Sequence, residues 1–568
     1  MRKNAVKSPV YSLSMGGPMK LTQKMMFFMV NIVVFILVAI SSGTGTAQEI
    51  DWLPLSFLGL GDVHHPVSTK SADAQKFFDQ GLALVYAFNH DEAVRSFKNA
   101  AVLDPDLAMA YWGIALALGP NINLPIDADH EKAAYEAIQK AQALSVRAPE
   151  QEQAYIKALS NRYSSDPKAD LRKLDVEYKN AMQELVRQYP DDPDAATLYA
   201  ESAMDLRSWM LWNRDGTPAE GTQEIMDVLE SVLRRNPNHL GANHYYIHIV
   251  EASPHPEWAL PSADRLRALA PFAGHLVHMP AHVYSRTGFY EEAAVVNEVA
   301  VAADRAYIQL RGDQGFYPLG YYSHNLHFLA VMRAFQGRFS DARKAADELA
   351  AHVGPHVKEI PLLEGFMPHS LLIMVRFERW DDILTYPPPQ EAMVMTRCFR
   401  HFARAIAYTS IGKLDLADSE RKAFLEERKH LAADAMYSPV NSAESILSIA
   451  SLMLDARIAE KTGDYKLGVE FLKKAIAAED ALNYNEPPEW YIPTREALGG
   501  LLVRTRNYAE AEGAFRAELA RHPRSGRALF GLYESLKGLG KDYEAEFVYK
   551  EFSKAWQYAD TKLRVEDL

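Results

Sequence analysis

Residues Tyr86 to Leu116 read YAFNHDEAVRSFKNAAVLDPDLAMAYWGIAL. Ala93, Phe97, Ala100 and Pro105 fall there at the spacing A-x3-F-x2-A-x4-P, and Gly81 lies twelve residues before Ala93. The spacing describes two helices closing on each other. Small alanines let the axes approach, the aromatic fills the gap, and proline, with no N–H to give, stops the second helix.

The pattern returns. RTRNYAEAEGAFRAELARHP carries Ala511, Phe515 and Pro523 at the same offsets, and ASPHPEWALPSADRLRALAP carries Ala259 and Pro271. GFYEEAA, GRFSDAR, RWDDIL, GKLDLAD and GDYKLGV each read as the turn into a second helix. Strand signals are almost absent. The chain resembles the tetratricopeptide repeat (TPR) superfamily, built from helix-turn-helix units of about 34 residues. The match is closest at both ends and looser in the middle. The resemblance implies an all-α fold, a right-handed α-solenoid of ten to twelve helical pairs from near Ser71 to near Trp556. It also implies a concave groove lined by the first helix of each pair, where TPR proteins hold peptides or partner proteins. The His-rich centre and the FNHDEA…DPDLAMAYWGIAL start resemble an exported bacterial type of TPR protein.

The segments follow from these spacings. Residues 48–70 read as a linker, 71–237 as N-terminal pairs and 238–352 as a His-rich central block. Residues 353–440 read as degenerate pairs with a stiff connector, TYPPPQE at Thr385–Glu391, and 441–568 as C-terminal pairs.

The first 47 residues read as an export signal. Arg2, Lys3, Lys7, Lys20 and Lys24 form a basic region, Met25–Ile40 is apolar, and SSGTGTAQ offers a cut after Ala47. The reading makes the protein periplasmic or secreted, with no membrane span after cleavage; an uncleaved anchor is the alternative, and Met19 is a second candidate start. The net charge is −13 over 568 residues, and no Lys/Arg stripe interleaves with aromatics. Nucleic acid is therefore not an expected partner. The single cysteine, Cys398, excludes an internal disulfide and a cysteine-built zinc site, and reads as a small buried hydrophobe.

Nine of the 19 histidines lie between His239 and His327. Relative to the equivalent alanines Ala259, Ala293 and Ala342, His248 and His282 stand eleven residues before, and His244, His278 and His327 fifteen before. His275 and His324 stand eighteen before, and Glu251 eight before. Offsets of 18, 15, 11 and 8 share one helical face. Three neighbouring first helices thus present seven imidazoles and a carboxylate to one patch, on the concave face that the TPR resemblance implies. Imidazole is the commonest transition-metal ligand, and an i, i+3 or i, i+4 pair chelates from one helix. The expected ligands are His244, His248, Glu251, His275, His278, His282, His324 and His327, for copper, zinc or iron, with Glu251 as ligand or general base. The number of histidines allows two metals. Metal handling and metal-dependent catalysis both suit such a stripe. The alternatives are a protein- or peptide-binding scaffold using the same groove without metal, direct capture of an acidic peptide or small molecule, and plain packing.

Other residues read more quietly. His369 offers a further ligand slightly off the stripe, and EPPEWYIPTRE around Trp490 and Arg495 reads as a lip of the groove or a capped helix start. Trp209 and Trp212 read as buried aromatics, and His64, His65 and His90 as loop or turn residues. No phosphate loop, H-E-x-x-H or G-x-S-x-G element is present.

Overall fold

A computed structural model describes residues 59–312 and 315–568. The export-signal reading falls on residues 1–47 and lies outside them. Residues Ile50–Leu568 make one compact unit. Among the described residues the helices run in twelve pairs, from Ala72–Tyr86 with His90–Leu103 to Gly526–Gly538 with Asp542–Ala555. Only three isolated bridges stand in for β-structure there. The fold is an all-α, TPR-like solenoid, and no described helix is long and apolar enough to cross a membrane.

The A-x3-F pattern works through close approach. Phe97 is fully buried, as are Ala93 and Ala100. A Cβ on Gly81 would sit 2.6 Å from the Phe97 ring, and one on Gly113 would sit 2.4 Å from it. The ring is thus held between two glycines, sixteen residues before it and sixteen after. Phe515 repeats the arrangement between Gly499, at 2.5 Å, and Gly531, at 2.0 Å. Dense interiors leave no room for an added methyl there.

The centre departs from regularity in two places. Pro280 lacks an N–H, so the helix bearing His275, His278 and His282 breaks into Gly274–His278 and Pro280–Arg286. Before the Ser323–Phe335 helix, Pro318–Tyr322 winds as a π-turn.

The groove expected to be open is roofed. Two loops, around Tyr437–Asn441 and Asn483–Tyr491, come back across the first helices of the central pairs. Asn441 Nδ2 donates to the Asn483 carbonyl at 3.0 Å, and the Asn483 N–H donates to Asn441 Oδ1 at 2.9 Å. Trp490 and Tyr491 are buried beneath this tie. The EPPEWYIPTRE stretch is therefore part of a cover. Cys398 is buried, as expected, and burial pushes its thiol up to about 12.

Candidate functional site

The helices Leu240–Val250, Gly274–His278, Pro280–Arg286 and Ser323–Phe335 bring six histidines together. They fall into two sets of three. His244, His248 and His275 offer ligand nitrogens all within 4.8 Å of one another, and so do His278, His282 and His324. The sets are neighbours: the rings of His248 and His282 are 5.9 Å apart, and those of His275 and His278 are 6.0 Å apart. Sets are shared across helices, since His275 joins His244 rather than His278 of its own helix.

Local sequence fixes the helix ends. The His275 N–H donates to the Tyr317 hydroxyl at 3.1 Å, and that hydroxyl donates to Asp304 Oδ1 at 2.9 Å. Asp304 Oδ2 accepts from Asn325 Nδ2 at 2.7 Å, next to His324. One buried carboxyl thus ties two histidine-bearing helices, and burial pushes it up to about 7. Gly274 makes this possible, because a Cβ there would lie 1.8 Å from Asp304 Oδ1.

The rings are oriented through Nδ1. His244 Nδ1 donates to the Tyr86 carbonyl at 2.7 Å. His278 Nδ1 donates to Asn297 Oδ1 at 2.7 Å, and Asn297 is itself turned by its Nδ2 donating to the Ala293 carbonyl at 2.7 Å. Glu251 holds two rings: its Oε1 faces His248 Nδ1 at 3.0 Å, and its Oε2 contacts His282 Nδ1. With Nδ1 donating, Nε2 carries the lone pair. The Nε2 atoms then converge: His244 with His275 at 3.1 Å, His278 with His282 at 2.8 Å, His324 with His282 at 3.5 Å. Two nitrogens on one metal at about 2.1 Å stand about 2.9–3.4 Å apart for angles of 90–110°. The observed spacings bracket that range. Fixing of the distal nitrogen by carbonyl, amide or carboxylate is the usual outer support of a histidine metal site.

Protonation suits ligation. Burial, reinforced by neighbouring imidazoles, holds His244, His275 and His278 well below the ordinary histidine value, and His324 down to about 3. Burial lowers His248 as well, although Glu251 opposes it. Burial also works against a charged His282, but the Glu251 carboxylate outweighs it and raises that ring. Glu251 is held at about 2 because His282 and His248 overcome the cost of its burial.

One expected ligand lies elsewhere. His327 belongs to neither set; its ring lies 3.8 Å from that of His369. His278, at the same offset on the preceding pair, does join a set, so the offset alone does not decide membership. Glu251 sits between the sets, with Oε1 facing His248 Nδ1 and Oε2 in contact with His282 Nδ1, which suits it to orient both rings. Of the tyrosines near the stripe, Tyr246, Tyr284 and Tyr322 donate outward to Glu230, Asp264 and Glu348. His239 caps its helix by accepting the Ala242 N–H at 3.1 Å and faces Asp194 at 3.2 Å. His65, read as a loop residue, is in a loop but buried, with Nδ1 2.8 Å from Asp194 Oδ2.

A cavity of about 170 Å³ opens onto His248, His275, His282 and His324. His327 and His369 line it too, and the roof adds Glu486 and Glu489. Glu489 accepts from Ser438, Asn441 and Asn485. Glu486 Oε1 accepts from the Tyr484 hydroxyl at 2.7 Å, while its Oε2 is buried without a hydrogen-bond partner. Sequence reasoning passed over Glu486; the one signal was an acid set among prolines and aromatics in NEPPEWY.

No protein-family profile and no curated protein matches the chain. Solved structures match over most of the chain at low similarity. Among them are a human IFIT1 dimer with m7Gppp-AAAA, at 14% identity and TM-score 0.33, covering 86% of this chain and 91% of that one. Yeast Tom70 follows at 12% and 0.29, covering 86% and 93%. The P58(IPK) TPR domain stands at 12% and 0.20, covering 83% and 99%. A likeness at this level carries no argument about this chain.

Proposed function

We propose that the protein is a transition-metal protein, with two three-histidine sets each holding one ion. The observation that carries the reading is the convergence of Nε2 atoms at 2.8 and 3.1 Å, with the Nδ1 atoms of His244, His248, His278 and His282 already tethered. Packing alone does not account for it. An unpaired buried polar group costs about 1–3 kcal/mol, and His248 Nε2 is buried without a partner. All-imidazole sets suit copper, zinc or iron and fit calcium or magnesium badly. The enclosed cavity favours chemistry on a small molecule over passing metal to another protein, whose ligands would have to reach buried nitrogens. The signal read in residues 1–47 supports export to the periplasm or outside the cell as part of this reading.

Elemental analysis of untagged protein, as purified and after loading with each metal, tests the reading. Two ions per chain are expected, falling to about one in His244→Ala and in His278→Ala. A protein that takes up no ion from copper, zinc or iron sinks it.

A second reading, a protein-binding scaffold without metal, is favoured by the last helix. Tyr543 is 88% exposed and Phe547 66% exposed on Asp542–Ala555. Partner capture that survives a chelator would favour it.

A further inference from the structure

We infer that the cavity beside the two histidine sets binds a small neutral aromatic molecule carrying a hydrogen-bond donor, a phenol in the simplest case. Its size comes first. The cavity holds about 170 Å³, and a cavity of about 150 Å³ takes up benzene. Its walls come next: Trp209, Phe316, Tyr321 and Phe366 supply ring surface, with Tyr321 4.5 Å from the His275 ring and Trp209 6.2 Å from that of His248. Flat apolar walls of this kind favour offset or edge-on aromatic contacts.

The polar end decides the donor. His369 Nδ1 lies 3.3 Å from the Tyr491 oxygen. That hydroxyl already gives its proton to the His369 carbonyl, at 3.2 Å. The oxygen therefore accepts from His369 Nδ1–H, and Nε2 is left as a bare acceptor. His369 Nε2 and His327 Nε2 are both buried without a hydrogen-bond partner. Burial keeps both rings neutral, His369 at about 3. An acceptor in an apolar wall calls for an O–H or N–H on the ligand. Anions are disfavoured because Glu486 and Glu489 line the same space. The mouth lies where Phe316 and Leu362 are 42% and 41% exposed, next to Val440.

That the ligand meets metal rests on the function proposed above; that it binds does not. The test is calorimetric titration of the full-length protein, metal-stripped and metal-loaded, with phenol, toluene, benzylamine and benzoate. Phenol is expected to saturate one site and to bind about tenfold tighter than toluene, the weight of one buried hydrogen bond. Val440→Trp, at the mouth, is expected to weaken phenol about tenfold or more by filling the entry, with metal content unchanged. His369→Phe is expected to bring phenol and toluene to within about threefold of each other. No saturable phenol binding in either form overturns the inference. So does phenol binding that Val440→Trp leaves intact, or tighter binding of benzylamine or benzoate. Phenol bound as expected by a protein that takes up no metal overturns the metal reading alone; the reverse result overturns only this one.

Discussion

His278 Nε2 and His282 Nε2 lie 2.8 Å apart, and each ring has already committed its Nδ1, to Asn297 and to Glu251. As neutral rings they would aim two lone pairs at each other. Something positive must lie between them, and a shared proton and a metal ion are the two candidates. The Glu251 carboxylate, which raises His282, supports the proton form. The same pair is thus poised for exchange of a proton for a metal.

Asn297 and Glu251 separate the two sets. Asn297→Ala is expected to weaken one of two metal equivalents about 10–100-fold, since it orients His278 only. Glu251→Gln is expected to weaken both, because Glu251 orients His248 in one set and His282 in the other. Competition with a chromophoric chelator reads both affinities. Equal loss of both ions in Asn297→Ala would undo the assignment of separate sets.

His327 gives the converse. His327→Phe is expected to leave metal stoichiometry at the wild-type level, since the ring lies on His369 outside both sets. Loss of an ion in that variant would restore it as a ligand.

The glycine cradles predict stability. Gly531→Ala forces a methyl to within 2.0 Å of Phe515 and is expected to cost about 1–3 kcal/mol. Gly513→Ala, in the Tyr508–Arg521 helix with nothing within 4 Å of the added carbon, is expected to stabilise by up to about 1 kcal/mol. Denaturant unfolding of the two variants should move in opposite directions.

The segment around His65 carries a pH dependence. His65 faces Asp194, Asp192 and Asp79; burial lowers its pKa, but those carboxylates raise it above 6.5. Its contribution is complete below 6.5 and is lost as pH rises through the folded value. Burial would raise Asp194, but the hydrogen bonds from His239 and His65 hold it far below 3.8. That contribution is complete above 3.8 and is lost as pH falls. Hydrogen exchange of residues 60–68 in wild type and His65→Gln should therefore differ most between pH 3.8 and 6.5. A difference that widens above pH 6.5 would contradict the pairing.

Local chemistry was legible and long-range chemistry was not. Ala93, Phe97 and Pro105 interact within one pair, so their spacing announces the fold. The histidine offsets announced the face for the same reason. Which histidines share a set depends on contacts between helices: His275 turns to His244 although His278 is three residues away. Pro280 breaks that helix, and His327 packs on His369 instead of joining a set. The roof has no periodicity to read, because the Asn441 side-chain amide meets the Asn483 backbone 42 residues further along the chain.

All six imidazoles come from residues 244–324, whereas the wall opposite them comes from residues 437–489. A chain made from its N-terminus completes the nitrogen sets more than a hundred residues before the wall exists. Until that wall forms the nitrogens face water; in the finished fold they are buried behind it. On the metal reading, ions would enter most readily in that interval, and metal identity would be decided by the compartment in which the last third of the chain folds. Refolding in one chosen metal would then fix an occupancy that later dialysis exchanges only slowly.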